Sequence, residues 1–483
     1  MHFLSLYSVL PELSILLMAC LILLKGVFSA DGAPRTSYYL SQLTLIFALF
    51  LNVHGFAAVN QPFFYSFKHL IITDKLSYTL NVFILIAMIF TFWYSHAYND
   101  DNRIPANEFY VLGLLATVGM MLLVSSENFI TLFLGLELMS LPVYAMVALM
   151  REKSRCIEAA MKYFVIGSVA SGMLLYGLSL FFGATHSLDL ATVAQAIDAT
   201  LLNQKLILYF GLVFVLAGIA FKLGAAPFHV WVPDVYDGAP NSVTLFISAA
   251  PKIAAFGLAI RFLTEAVPGL SIQWEQVLIV IALLSIAIGN VVAIVQTNIK
   301  RLLAYSSIAH IGYMLLGLAC GTTRGDAAAY FYMITYALTS LGAFGMITLL
   351  SKSGFEANEL SDFSGLSARN PWFAFMMLLT MFSLAGIPPL VGFIAKVGVL
   401  EALIKVHSVW LAVVAIIFSI IGAYYYIRVV KVMYFEDAKP TEMQVVHPSN
   451  QLTAAASVNG LLLLLLGIFP SQLFILCHGV FGV

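Results

Sequence analysis

Five ionisable side chains stand inside long apolar stretches of this sequence: Glu137, Lys162, Lys222, Lys252 and Lys396. An ionised group at the centre of a bilayer costs about 2.5–3.5 kcal/mol on insertion scales. Five unpaired charges would therefore cost on the order of 12–18 kcal/mol, as much as the whole stability of a domain. Such groups must pair, be hydrated or give up their charge, and each of these options suits a proton carrier. His229 in PFHVW and His310 in SSIAHIGY add two rings able to receive and pass a proton.

The spacing of these groups is informative. Lys222 lies in LAGIAFKLGAAPFHVW (216–231), where Pro227 must break the helix. The segment LAGIPPLVGFIAKVG (384–398) opens with the same tetrapeptide, and it too joins a break, at Pro388 and Pro389, to a single lysine, Lys396. Two broken hydrophobic helices in two related halves, each with one buried lysine, are the pattern of a transporter pathway. Lys252 follows Pro251 in FISAAPKIAAFG, between the first break and the second half, and reads as a connecting carrier. Around His310, the hydroxyls of Ser306, Ser307 and Tyr313 can hold a water chain or bond backbone carbonyls.

Glu137 lies about 12 residues before the basic turn RxKxR (151–155), and Lys162 about seven beyond it on the next helix. At about 1.5 Å per residue their depths differ by roughly 8 Å, within reach of two long side chains or one bridging water. The expectation is a Glu137–Lys162 pair, either a staple between helices or an electrostatic switch. In the switch, Glu137 close by favours the charged lysine, and withdrawal of Glu137 releases its proton.

The elements that position these groups follow from composition. Hydrophobic residues make up 61% of the 483 and charged residues 10%, with a mean hydropathy of +0.96. A soluble protein of this size could not cover so much apolar surface with so little charge. The fold class is an all-α membrane protein of about 14 transmembrane helices. The expected spans are 8–24, 38–58, 76–97, 108–125, 128–150, 156–183, 205–235 with a break, 240–264, 273–297, 301–320, 327–351, 371–404 with a break, 407–434 and 453–477. The segment 187–200 is too short and polar to span and reads as an amphipathic surface helix. The first apolar run lacks a basic start and a small-residue cleavage site, so it reads as a retained span.

The basic residues split 13 to 6 between the side opposite the termini and the terminal side. The positive-inside rule then places both termini outside. The two LAGI segments fall on spans seven and twelve, which run in opposite directions, and ENFITLF (127–133) is echoed by TNIKRLL (297–303) at nearly the same separation. Spans 4–8 (107–266) and 9–13 (267–436) are expected to be inverted five-helix repeats, flanked by spans 1–3 (1–106) and a final loop and helix (437–483). On this layout Lys222 is central and Lys396 is displaced toward the outside.

Several classes are excluded. The net charge of −1 argues against nucleic acid as a partner. The four cysteines form no CxxC or Cys/His cluster, so no metal site, Fe–S cluster or disulfide framework is expected. No GxGxxG, P-loop, HExxH or Ser/His/Asp arrangement appears.

LGLELMSLP, the lysine in EAAMKYF, LAGIAFKLGAAPFHVWVPDVYDGAP, the APK around Lys252, QTNIKRLLAYSSIAHIGYM and SLAGIPPLVGFIAK together resemble the antiporter-like proton-translocating subunits of respiratory NADH–quinone oxidoreductase, complex I. The resemblance is strongest over 100–435. It is closest to the subunit N branch: the twelfth span carries a lysine and not a glutamate, no long lateral helix follows the last span, and the length suits the bacterial form.

The resemblance implies a subunit of a translocase in the bacterial inner membrane, packed among lipids and other membrane subunits, including further antiporter-like ones. NADH, flavin, Fe–S clusters and quinone would be handled by partner subunits, with no redox cofactor in this chain. It also implies that Glu137 and Lys162 match the input pair, Lys222 the central lysine, Lys252 the connecting lysine and Lys396 the outer carrier. His229 and His310 match polar positions of less settled role. The alternatives are a subunit of a multisubunit Na+(K+)/H+ antiporter or membrane-bound hydrogenase, a stand-alone secondary transporter, or a purely structural membrane subunit.

Overall fold

In a computed structural model the described residues are 6–28, 34–58, 63–198, 202–437 and 450–482. Lys439, one of the basic residues counted above, lies outside them. Three helices, α1 (Leu10–Phe28), α2 (Pro34–Ala58) and α3 (Lys75–Asp101), come first, with a small hairpin, β1 (Phe63–Ser66) and β2 (Ile71–Asp74), before α3. Next come α4 (Ala106–Val124), α5 (Phe129–Val147), α6 (Ser154–Thr185) and the short α7 (Leu190–Asp198). The broken segments follow as α8 (Leu202–Leu223) with α9 (Trp231–Gly238), and α10 (Asn241–Ser248) with α11 (Ala250–Ile260). The second half holds α12 (Ser271–Ile294), α13 (Ile299–Leu318), α14 (Thr323–Leu350), α15 (Pro371–Ala385), α16 (Val391–Lys405) and α17 (Val409–Phe435). Helices α18 (Asn450–Ile468) and α19 (Ser471–Phe481) end the description.

Among the described residues, 12 helices are long and apolar enough to cross a membrane. Two of the expected spans miss that measure for physical reasons. Helix α13 carries Lys300, Arg301, Ser306, Ser307 and His310, which lower its hydropathy. The segment 371–404 is divided into two helices of 15 residues each. The structure also differs from the expectation elsewhere. The eighth span is interrupted at Ala249 (φ −123°, ψ −81°), immediately before the Pro251 turn. The last span is divided at Pro470, and the hairpin at 63–74 has no counterpart among the expected elements.

The loops carry a repeated clasp. Phe129 N donates to Leu188 O (2.9 Å) and Leu190 N to Glu127 O (3.0 Å). In the second half the same pattern recurs: Ile299 N donates to Asn358 O (2.7 Å) and Leu360 N to Thr297 O (2.9 Å). The side chains of Asn128 and Asn298 cap α5 and α13. One clasp pins α7 beside the start of α5; the other pins the 352–363 loop beside the start of α13.

A buried ion cluster fixes one end of the bundle. Arg261 is fully buried, and its guanidinium donates to Asp74 (2.8 and 2.6 Å), Glu265 (2.6 Å) and Val124 O (3.1 Å). It ties the hairpin, the end of α4 and the segment after α11 together. Burial works to raise the Asp74 carboxyl, but the Arg261 charge outweighs it and holds Asp74 below the usual carboxylate range.

Candidate functional site

Lys222 occupies the last turn of α8, where a helix dipole favours a cation. The helix stops there because Gly224 takes a left-handed conformation (φ 76°) and Pro227 has no amide hydrogen to continue the ladder. The break is held by two bonds: Trp231 Nε1 donates to the carbonyl of Phe221 (3.1 Å), and Ala226 N donates to Ser285 Oγ on α12 (2.8 Å). Lys222 Nζ donates to Ser140 Oγ (2.8 Å) and Tyr144 OH (3.3 Å), both on α5. Two charge-assisted hydrogen bonds of about 1.5–3 kcal/mol each offset an insertion cost of roughly 2.5–3.5 kcal/mol. Glu137 lies one turn before Ser140 on α5 and interacts electrostatically with Lys222; its Oε1 is buried without a hydrogen-bond partner among the described residues.

Glu137 thus faces Lys222, and the expected Glu137–Lys162 pair does not form. Lys162 pairs with Asp234 of α9 (2.9 Å) and Glu158 (2.8 Å), with its side chain 44% exposed. Matching depth did not ensure matching azimuth: Glu158 and Lys162 lie on the outward face of α6, whereas Tyr163 points inward and stacks on Trp231. Asp234 also accepts from Arg301 (3.1 Å), and Asp237 pairs with Arg155, so the two aspartates of α9 are laced to α6 and α13 by three cations.

Lys252 follows the interruption at Ala249 and is 1% exposed. Its Nζ bonds Ser307 Oγ of α13 and lies over the rings of Tyr236 (5.7 Å) and Tyr336 (5.8 Å). A Cβ placed on Gly224 would stand 3.9 Å from this ammonium, which locates Lys252 beside the first break. One turn beyond Ser307, His310 presents Nδ1 to Tyr332 OH (2.7 Å) and Nε2 to Tyr426 OH (3.0 Å). A cavity of about 10 Å³, roughly the size one water needs, is lined by His310, Tyr336, Thr339, Ser383 and Ala395 near the second break.

Lys396, in α16, donates to the carbonyl of Ala385 (2.8 Å), freed at the end of α15, and to Ser419 Oγ (3.0 Å), and lies over the Tyr313 ring (5.4 Å). Gly386 turns the chain there with φ 80°, and a Cβ on it would come within 2.8 Å of Lys396 Cδ. His229 sits in the first break, half-buried, with Nδ1 lacking a partner among the described residues.

The structure places Glu137 and Lys222 at the first break with Lys252 beside it, bonds Lys252 to Ser307 one turn before His310, sets Lys396 at the second break, and pairs Lys162 elsewhere. Sequence reasoning missed Ser140 and Tyr144, which follow Glu137 at helical spacing on its own helix face. It also missed Tyr332 and Tyr336 at helical spacing on α14, the Tyr425–Tyr426 doublet, and the aspartates of WVPDVYDG. Among the described residues no cluster of His, Cys, Asp or Glu is arranged to hold a metal, and the four cysteines are free.

Known proteins are similar to this chain in sequence and in fold. A family model described as NADH:quinone oxidoreductase/Mrp antiporter, TM, matches residues 126–422. NADH-quinone oxidoreductase subunit N of Coxiella burnetii is 60% identical over 472 residues, covering 98% of both chains. The chain belongs to the subunit N family of NADH-quinone oxidoreductases. The family member from Herminiimonas arsenicoxydans is 50% identical across 99% of this chain and 98% of its own. A chain of respiratory complex I from Thermus thermophilus with bound aureothin superposes with a TM-score of 0.81 at 30% identity, covering 96% of this chain and 98% of that one. A chain of the Mrp complex from Dietzia sp. DQ12-45-1b shares the fold, with a TM-score of 0.87 at 20% identity, covering 100% and 97%. As a subunit N family member, the protein is a multi-pass, antiporter-like membrane subunit of a respiratory oxidoreductase complex.

Proposed function

We propose that this subunit carries protons from the cytoplasm to the periplasm, driven by NADH oxidation and quinone reduction in partner subunits. The observation that supports this reading is the set of buried polar groups at and between the two helix breaks: Lys222 at the first, Lys252 bonded to Ser307 one turn before His310, and Lys396 at the second. A proton taken up at Lys222 passes by way of Lys252, Ser307 and His310 to Lys396 and leaves outward. The charge of Glu137 acts on Lys222 directly: its approach favours the ammonium and its withdrawal favours proton release. Lys162 serves with Asp234, Arg301 and Glu158 to hold α9, and His229 lies at the uptake side of the first break.

The same reading takes α13 and the α15–α16 pair as spans, giving 14 in all, with both termini periplasmic in a bacterial inner membrane. The repeats are 107–266 and 267–436; the clasp that recurs at equivalent places in both halves supports them. Redox cofactors reside in partner subunits, and further antiporter-like subunits and lipids flank this one. The test is Lys222→Ala in the assembled enzyme. Loss of proton pumping, measured alongside NADH–quinone turnover, is expected; normal pumping at normal turnover overturns the proposal.

A further inference from the structure

Beside the relay, four buried groups form a hydrogen-bonded set whose hydrogens admit two arrangements. Tyr425 OH lies 3.2 Å from Asn290 Oδ1 and 3.1 Å from Tyr426 OH, and Tyr426 OH in turn lies 2.5 Å from Ser306 Oγ and 3.0 Å from His310 Nε2. Tyr425, Tyr426, Asn290 and Ser306 are each 0–2% exposed, so these hydroxyls must satisfy one another. Tyr425 has one hydrogen and two acceptors within reach.

With that hydrogen turned to Asn290, Tyr426 donates to Tyr425, and its oxygen accepts from Ser306 and from His310 Nε2–H. Nδ1 then accepts from Tyr332. With the Tyr425 hydrogen turned to Tyr426, Tyr426 donates to Nε2, and the imidazole carries its hydrogen on Nδ1, donating to Tyr332. The two arrangements differ in which ring nitrogen is open to a proton, and the second gives up the bond from Tyr425 to Asn290 Oδ1.

We propose that Tyr425 and Asn290 form a positioning switch that selects the tautomer of His310, and so decides which side of the ring receives the proton. The switch rests on the relay proposed above, because it acts only through His310. The hydroxyls only rotate; the ring changes tautomer by proton transfer, an N–H bond forming at Nδ1 as a relayed proton arrives and the N–H bond at Nε2 breaking as a proton leaves, and the reset runs the other way.

The experiment uses the assembled complex in liposomes, with Tyr425→Phe, Asn290→Leu and the double variant. Each single change denies Tyr426 the Tyr425 oxygen as an acceptor and leaves it Nε2 or Ser306 Oγ, so both remove the same first arrangement. Pumping is expected to fall about tenfold in each, and the double variant should be no worse than either single. The ratio of pumping rates in H2O and D2O should change as well, which a loss of packing alone would not produce. Wild-type pumping with an unchanged isotope ratio in Tyr425→Phe, or additive losses in the double variant, overturns the switch. His310→Leu separates the two proposals: inactive beside a fully active Tyr425→Phe, it retires the switch and keeps the relay. Fully active, it retires both.

Discussion

Lys396 Nζ donates to the carbonyl of Ala385 across the break between α15 and α16, 2.8 Å away. That carbonyl lost its helical partner where α15 ends, so a side chain completes the backbone's accounting. An ammonium has three hydrogens and a neutral amine two, which is enough for both Ala385 O and Ser419 Oγ. The carrier can lose its proton without leaving the break unsatisfied.

This relationship predicts different outcomes for two substitutions. Lys396→Arg keeps donors for Ala385 and Ser419 but holds its proton permanently, so the complex should assemble and fail to pump. Lys396→Glu keeps an ionisable group but, once ionised, turns an acceptor toward an acceptor, exposing the carbonyl to an unsatisfied cost of about 1–3 kcal/mol. It should impair both assembly and pumping. Comparing assembly by native electrophoresis with pumping in liposomes checks both; retained pumping in Lys396→Glu would show that only ionisability matters there.

Gly386→Ala should be destabilising. Its φ of 80° costs a non-glycine residue about 1–3 kcal/mol, and the added carbon meets Lys396 Cδ at 2.8 Å. Faster hydrogen exchange across 384–392 and reduced pumping are the expected readouts.

Glu137→Gln and Lys162→Ala should separate sharply. Glu137 acts on Lys222, so its neutralisation should cut pumping about tenfold or more. Lys162 sits in a partly exposed, solvent-screened pair, and its loss should change pumping less than about twofold. Equal losses in steady-state pumping assays would restore Lys162 to the relay.

Glu127 gives a pH prediction. It is 2% exposed in the loop between α4 and α5. Burial first, and then the Glu265 and Asp189 charges, raise its carboxyl from the usual 4.5 to about 8 against the opposing Arg261. A group raised on folding favours the folded state below its unfolded value and loses that contribution as pH rises through the folded one. Thermal unfolding in detergent should therefore fall in midpoint between about pH 5 and 8, and Glu127→Gln should flatten that slope. An unchanged slope would show that Glu127 is not the titrating group.

Much of the scaffold was legible because proline and charge act locally. Pro227 and Pro388 mark the breaks by removing donors, and lysines in apolar runs declare themselves by their cost. Lys252 and His310 could be named from sequence, but their link through Ser307 could not, because it joins residues 55 apart on different helices. The Glu137 partner was misread because residue spacing reports depth along a helix but not which way a neighbouring helix is rotated. The interruption at Ala249 lies just before Pro251, a position a proline in the first turn of a helix tolerates without any break. The Arg261 cluster was hidden for another reason: Glu265 is a local partner four residues on, but Asp74 lies 187 residues away, on an element no local rule connects.

The contact between Lys252 and Ser307 has an electrical consequence. Lys300 Nζ, at the start of α13, bonds Ala239 O beside the start of α10, so both helices begin at one level. Lys252 and His310 each lie eleven residues further on, counted from Asn241 and Ile299. In the proposed relay a proton passing between them moves sideways, along an equipotential of the membrane field. A full crossing against 100 mV requires about 2.3 kcal/mol. That work falls on the loading and discharge steps, so membrane voltage should throttle the two ends of the path and leave its middle untouched.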